Sequence, residues 1–310
     1  MLYIRKVSIR RLIKLFLAKY KWIFIFIIFF IFAIIIFPIS LVMLTAGGDS
    51  IERDELIIHS AEEDMIDAAL RCEEKFGGYW IEYLVSYLVS IDFQINQFSS
   101  SEMIDSAEIY QKLGRKEVLG NTKYKTYKDM EKYYCMIYDD LAEIVEYEEG
   151  KKTIKYHGYY PIPEGYEYTH NDDFGADRTF GGDRHHKGND IMTKRGIPLV
   201  AVTSGIVERI GWEKLGGWRI GIRDSNNRYW YYAHMEEYEK GIDRGDRIKA
   251  GDIIGYVGDS GYGPEGTTGK FATHLHIQIG VEFPGEKEIT YINPYGILKF
   301  LENNKVVVEE

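Results

Sequence analysis

The sequence predicts a multidomain chain: a single N-terminal transmembrane helix, a small α-helical module and a C-terminal all-β antiparallel domain. Three observations carry this. Residues 22–44 hold no charged side chain. Apolar residues then recur at steps of three and four up to about residue 150, the period of helices with one buried face. From about residue 165 the pattern changes to short β-branched runs punctuated by glycine, as in Ile197-Pro198-Leu199-Val200-Ala201-Val202 and Asp252-Ile253-Ile254-Gly255-Tyr256-Val257.

The uncharged stretch at 22–44 would span roughly 34 Å as a helix, enough for a hydrocarbon core of about 30 Å. Residues 1–22 carry seven of the 38 basic residues and no acid, whereas Asp49, Glu52, Asp54 and Glu55 follow the stretch. That asymmetry places residues 1–21 in the cytoplasm as a basic tail and the rest outside. A cleaved signal peptide fits less well, because its apolar region is only about 7–15 residues and ends at a small-residue site. Here the stretch ends in Leu44-Thr45-Ala46. The remainder of the chain has 31 basic against 48 acidic residues, a balance of −17. An acidic body excludes nucleic acid as a partner, since phosphates demand a basic footprint.

Residues 50–150 read as a helical module of four helices. Ile58, Ala61, Met65, Ala69, Cys72 and Phe76 form one apolar stripe, which Gly77-Gly78 ends. Residues 79–93 are apolar nearly all round, as a central helix would be. Ser99-Ser100-Ser101 before Glu102 marks a helix start. Tyr127, Met130, Tyr134, Ile137, Leu141 and Ile144 form the last stripe. Cys72 and Cys135 have no metal or redox spacing; one disulfide and two buried thiols suit them equally. The acidic runs here read as solvated faces. A glycosidase built on paired carboxylates is the sharper alternative, and release of reducing sugar would reveal it. Residues 151–168 form a linker interrupted by Pro161 and Pro163, residues 169–300 the β domain, and residues 301–310 an acidic tail.

Chemistry concentrates in three short stretches of the β domain: His186-Lys187-Gly188-Asn189-Asp190, Tyr232-Ala233-His234 and His274-Leu275-His276. A period of two puts His274, His276 and Gln278 on one strand face and Leu275, Ile277 and Ile279 on the other. Likewise Trp230, Tyr232 and His234 should share a face. Gly188 and Asn189 should form a turn that lets His186 and Asp190 converge. Singly, each stretch is more often an ordinary loop or strand. Jointly they supply the donors of a catalytic zinc site, three protein ligands and an open position, with two groups left for proton transfer. No His-Glu-x-x-His is present, so the base would have to be histidine.

At this point the sequence resembles the lysostaphin/LytM-type zinc metallopeptidases, the peptidoglycan endopeptidases. The likeness runs through Phe174-Gly175-Ala176-Asp177-Arg178, His186-x-Gly188-x-Asp190, Gly196-Ile197-Pro198-Leu199-Val200-Ala201, Tyr232-x-His234-Met235, Gly251-Asp252-Ile253-Ile254-Gly255, His274-Leu275-His276 and Asn293-Pro294-Tyr295. The resemblance implies a compact antiparallel β framework with a groove over the site. It also implies that His186, Asp190 and His276 bind Zn2+, that His234 and His274 are catalytic, and that Arg178 shapes the groove. His185 competes with His186, but only His186 fits the His-x-Gly-x-Asp frame; His59, His157 and His170 fit none. One departure is the loop 259–273, longer than the family's approach to His-Leu-His. Its Gly261-x-Gly263-x-x-Gly266 is no dinucleotide fingerprint, because a strand rather than a helix follows and Pro264 interrupts it. The reading is therefore a membrane-anchored zinc metalloendopeptidase with peptidoglycan as substrate, its C-terminal domain extracytoplasmic and its helical module free to meet protein partners. The alternative is a catalytically silent extracytoplasmic scaffold of a sporulation, secretion or conjugation complex, whose mark would be a missing ligand or catalytic residue.

Overall fold

The computed structural model describes residues 61–179 and 184–308. The basic tail, the expected transmembrane helix at 22–44 and His59 lie outside the described residues. Among the described residues no helix is long and apolar enough to cross a membrane.

Four helices come first: α1 (Glu63–Phe76), α2 (Trp80–Ser90), α3 (Ser100–Leu113) and α4 (Arg115–Tyr138). Helix α1 buries Met65, Ala69 and Cys72 and stops at Gly77, whose φ of 72° only glycine adopts cheaply. Helix α2 buries nine of its residues, so the others gather round it. Ser99 caps α3 by accepting from the Glu102 amide. Helix α4 is broken at Gly120, where φ is 70°. Cys72 and Cys135 are free thiols, and burial pushes both up to about 11.

The chain then departs from the expected pattern. Asp140 adopts a φ of 57°, a left-handed conformation that aspartate tolerates and a helix does not. Ile144, expected on the last helical stripe, instead lies on β1 (Ala142–Glu148), which pairs with β2 (Lys151–Tyr156) as an antiparallel hairpin. Cross-strand pairs support it: Ile144 faces Ile154, and Glu143 faces Lys155 with a 2.8 Å ion pair.

The β domain continues with β3 (Tyr168–His170), β4 (Asp177–Arg178), β5 (Arg184–His185), β6 (Asn189–Thr193), β7 (Pro198–Val200), β8 (Gly205–Glu213) and β9 (Gly217–Asp224). It ends with β10 (Tyr229–Tyr238), β11 (Arg247–Ile248), β12 (Ile253–Val257), β13 (His274–Val281), β14 (Thr290–Ile292) and α5 (Tyr295–Leu301). Its principal sheet has ten strands, with the path β11-β8-β9-β10-β13-β6-β3 and with β12, β7 and β14 attached. All of its pairings are antiparallel. One face of the central strands is dry. Trp230 and Tyr232 on β10 oppose Ile222 and Ile220 on β9 and Ile279 and Ile277 on β13, all fully buried.

The linker and the C-terminal residues are part of this fold. Tyr160 and Ile162 are fully buried; the Tyr160 and Glu164 amides donate to the carbonyls of Asn304 and Val306. The residues expected as an acidic tail are thus tied down as far as Val306, because their backbone groups have found partners.

The helices pack onto the β domain through one continuous core. Arg228, in the turn between β9 and β10, is 1% exposed. Its guanidinium donates to Asp224 Oδ2 at 2.7 Å and to the carbonyls of Ile137 and Asp139 at the end of α4, at 2.9 and 2.8 Å. Asp224 Oδ2 also accepts from Trp230 Nε1. Removing one partner of such a pair leaves a buried charge uncompensated. Asp224→Ala should therefore cost about 3–5 kcal/mol, read as a lowered urea midpoint with helical and β signals shifting together.

Candidate metal centre

The side chains singled out by the sequence converge on the polar face of the sheet. Strand β13 lies between β10 and β6, with His276 paired to Asp190 on one side and to Ala233 on the other. His186 follows β5 and is fixed by two backbone bonds, its amide to the Ala176 carbonyl and its carbonyl to the Gly175 amide. It is 3% exposed, whereas the adjacent His185 is exposed and faces Asp177. Gly188 does not form the expected turn. It passes so close to β13 that a Cβ there would sit 2.2 Å from the Ile277 carbonyl oxygen, and Asn189 already begins β6.

Three donor atoms face one point. His186 Nε2 lies 2.9 Å from His276 Nδ1 and 3.1 Å from Asp190 Oδ1, and His276 Nδ1 lies 2.8 Å from Asp190 Oδ1. Donors at ~2.0–2.1 Å from a tetrahedral ion stand roughly 3.3 Å apart, so the triangle is a few tenths of an ångström tight and fits one zinc ion. Two nitrogens and a carboxylate oxygen are also the donor chemistry of a catalytic rather than a closed site. Among the described residues these three form the metal-capable cluster.

A surrounding shell orients each donor. The His186 Nδ1–H donates to the Asp173 carbonyl at 3.0 Å, which leaves Nε2 free to face the centre. Arg178 bridges Asp173 at 2.7 Å and Asp190 Oδ2 at 3.1 Å, holding the oxygen of Asp190 that points away from the triangle. Asp173 Oδ1 accepts from the Asp190 amide and from Asn189 Nδ2. His276 Nε2 sits 2.8 Å from the Gln278 amide. With Nδ1 committed to the centre, Nε2 carries the proton, so the amide oxygen of Gln278 belongs at this contact. His170 is buried behind the site, 3.2 Å from Asn189 Oδ1, and His157 bonds Asp140 and Glu143 beside the hairpin.

His234 and His274 stand beside the triangle, their rings 4.7 Å apart. His274 Nδ1–H donates to the Ala272 carbonyl and His234 Nδ1–H to the Ser260 carbonyl, each at 2.8 Å. In the neutral tautomer of each ring the proton therefore sits on Nδ1 and Nε2 is the acceptor. His274 Nε2 is 3.6 Å from Asp190 Oδ1. His234 corrects the expectation that it shares a face with Trp230 and Tyr232. Those two point into the core, as strict alternation would also demand of His234. A bulge in β10 between Tyr232 and Met235 and a φ of 61° at His234 turn it to the opposite face.

Electrostatics follow the geometry. Burial would raise Asp190, but hydrogen bonds from His186 and His276 outweigh it and hold the carboxyl well below its ordinary range. Burial opposes the charge on His186, yet hydrogen bonds to Asp173 and Asp190 lift it to about 9. Burial, reinforced by His274 and His276, drives His234 down to about 3, and burial also lowers His276.

Asp173 and Ser260 carried no signal of their own in the sequence, and Gln278 only its place on the face of His274 and His276. Asp173 stands one residue before the Phe174-Gly175 motif, and Gln278 continues the His-x-His alternation.

Comparison with known proteins gives this arrangement a family. Residues 184–293 match Peptidase family M23. An L-Ala–D-Glu endopeptidase of Bacillus subtilis (strain 168) is 49% identical over 117 residues, 38% of this chain and 36% of that protein. Lysostaphin of Staphylococcus simulans is 38% identical over 96 residues, 30% of this chain and 17% of that protein. The chain thus spans about a third or less of the length of these relatives. A crystal structure named for lytM of Ruminococcus gnavus ATCC 29149 is 28% identical with a TM-score of 0.56, covering 79% of this chain and 90% of that one. That share exceeds the M23 match, so the likeness of fold reaches beyond the residues holding the triangle. The chain carries an M23 peptidase domain, homologous to the lysostaphin/LytM-type peptidoglycan endopeptidases.

Proposed function

We propose that this chain is a zinc metalloendopeptidase hydrolysing peptide bonds in the stems or cross-links of peptidoglycan. Residues 22–44 would anchor it in the cell membrane with the β domain on the outer side. The observation that carries the reading is the triangle of His186 Nε2, Asp190 Oδ1 and His276 Nδ1, flanked by two imidazoles with unprotonated Nε2 atoms. M23 membership supports it, as do relatives named for peptide-bond cleavage. The anchor rests on the uncharged stretch and its basic flank. A silent scaffold would be marked by loss of a ligand or proton-transfer residue, and all five are in place.

His186, Asp190 and His276 would hold the ion, their outer partners fixing which atom of each faces it. Bound zinc supplies Lewis acidity, polarising the scissile carbonyl and easing deprotonation of water. His234 and His274 do the proton work. With Nδ1 tied to a backbone carbonyl, each can accept a proton only at Nε2, from the attacking water, and return it to the departing amine. Depression to about 3 keeps His234 neutral through the physiological range, so in the metal-free fold it can hydrogen-bond to the water but is a weak base.

Two predictions test the assignment. His276→Ala should lose zinc, as metal analysis would show. His234→Ala and His274→Ala should each retain the metal and lose about 10²-fold or more in hydrolysis of purified cell wall. A His274→Ala protein digesting wall at the wild-type rate would remove that residue from the chemistry.

A further prediction concerns protons. In the metal-free fold His186 titrates near 9, so it is protonated at neutral pH and must lose its proton to coordinate. Zinc loading at pH 7.5 should release about one proton, and apparent affinity should fall about tenfold for each unit that pH is lowered from there. Calorimetry in two buffers of different ionisation enthalpy counts that proton.

A further inference from the structure

The cleft over the centre carries charge opposite to that of the chain. Its described walls present five cationic side chains, Arg178, Arg184, Lys187, Arg209 and Arg219, against the carboxylates of Asp190 and Glu213. The chain as a whole has a net charge of −10. Arg178 is engaged by Asp173 and Asp190, and Arg184 donates to the Tyr262 hydroxyl. The other three have little acidic company among the described residues. Arg209 approaches Glu208 only at 4.0 Å, while the other oxygen of Glu208 takes Arg223 at 2.7 Å. Lys187 lies over the Tyr291 ring at 5.5 Å. Arg219 is half-buried, and its Nη1 finds no hydrogen-bond acceptor among the described residues. Among the described residues no carboxylate forms an ion pair with Arg219; Glu213, on the same wall, accepts from the Gly216 amide through Oε2.

Register fixes where these cations stand relative to the reacting bond. Ile220 pairs with Tyr232 on the core face, so Arg219, one residue before, lies on the face that bears His276. Arg209 pairs with Gly221, Gly221 with Tyr231 and Tyr231 with Gln278, a row across that same face. Strand β9 is two strands from β13, so Arg219 is rooted about 10 Å from His276 at ~4.8 Å per strand. An extended peptide advances roughly 3.3–3.6 Å per residue, which places Arg219 within three residues of a bond held at the centre. Tyr231, its ring 6.1 Å from that of His276, and Tyr229 further along β10 line the same cleft as apolar walls with polar tips.

We propose that this end of the cleft is a carboxylate subsite: it seats an acidic residue of the peptide substrate within three residues of the scissile bond, and Arg219 reads that carboxylate, with Arg209 and Lys187 steering it in. The inference rests on the endopeptidase reading above. Arginine suits the role because its planar fork matches a carboxylate bidentately, and a half-buried site weakens the competition from water. The basic cleft on an acidic body would also orient an anionic peptide before contact.

The test uses pairs of synthetic peptides of the stem type, identical except that one carries a free carboxylate and the other its amide. The wild-type protein should favour the acid in kcat/KM by about tenfold or more, a preference that weakens as salt is raised. Arg219→Gln should bring the acid-to-amide ratio close to one, mainly through KM, and Arg219→Lys should restore part of it. The same peptides titrated onto the His274→Ala protein read the preference without turnover. Equal wild-type rates on both peptides, or equal binding of both to His274→Ala, would overturn the subsite while leaving the endopeptidase reading standing. Cleavage of neither peptide, with the acid still bound preferentially, would overturn the activity and leave the subsite.

Discussion

The structure depends on the register between β6 and β13. Asp190 sits opposite His276 because Leu275, Ile277 and Ile279 must all face the dry side of the sheet. A slip of one residue would expose those three and bury both histidines of β13 in the core, so hydrophobic burial enforces the donor geometry. Opposed side chains on neighbouring strands have Cβ atoms only about 4.5–5.5 Å apart. The donor atoms of Asp190 and His276 therefore meet without any loop having to order itself. His186 alone arrives from outside the principal sheet, and it is the donor held by the most elaborate outer shell, with Asp173 and Arg178 as its supports.

His234 is placed by a different means. A left-handed backbone at a bulky residue costs of order 1–3 kcal/mol and persists only where its surroundings over-determine it. Here the surroundings do so. The His234 amide donates to the Gly216 carbonyl, its ring donates to the Ser260 carbonyl, and the Ser260 hydroxyl donates to Met235 while accepting from the Trp218 amide. Ser260 lies in the long loop 259–273. That loop both clamps His234 and sets Phe271 against the rings of His234 and His274, at 4.6 and 5.2 Å. The loop before β13 thus also fixes the direction of the His234 ring.

What the sequence made legible follows from the range of each constraint. The alternation of His274, Leu275, His276 and Ile277 is local, and the strand keeps it. The stripes of α1 and α2 are local in the same way, as is the capping of α3 by Ser99. The facing of His234 was illegible because its bulge is created by partners in β9 and in the loop 259–273, neither of which leaves a mark at position 234. The reach of Asp173 to His186 depends on the short β4–β5 ribbon folding back. Ile144 fitted a helical stripe by spacing alone, and Asp140 with the facing charges of Glu143 and Lys155 decided for a hairpin. Arg219 reads as an ordinary strand residue until the sheet shows which face it shares.

The helical module also changes meaning once the contacts are placed. Besides the packing of α1 near α5, where Asn303 Nδ2 donates to Glu63 Oε1, it meets the β-strands through Arg228 in the β9–β10 turn and through Tyr133 against Phe283, just past the end of β13. Both contacts lie at the end of the central strands away from His234 and His274. Six residues separate Arg228 from His234, roughly 20 Å along a strand at about 3.3 Å per residue. The module therefore braces the β9–β10 hairpin from behind and leaves the cleft open. Since that hairpin carries Arg219, Tyr229, Tyr231 and His234, loosening the brace would disturb this wall of the cleft before it disturbed the triangle of donors. A module independent of the β domain would have no such influence, whereas a buried ion pair shared between helix ends and hairpin turn makes this one part of what holds the site.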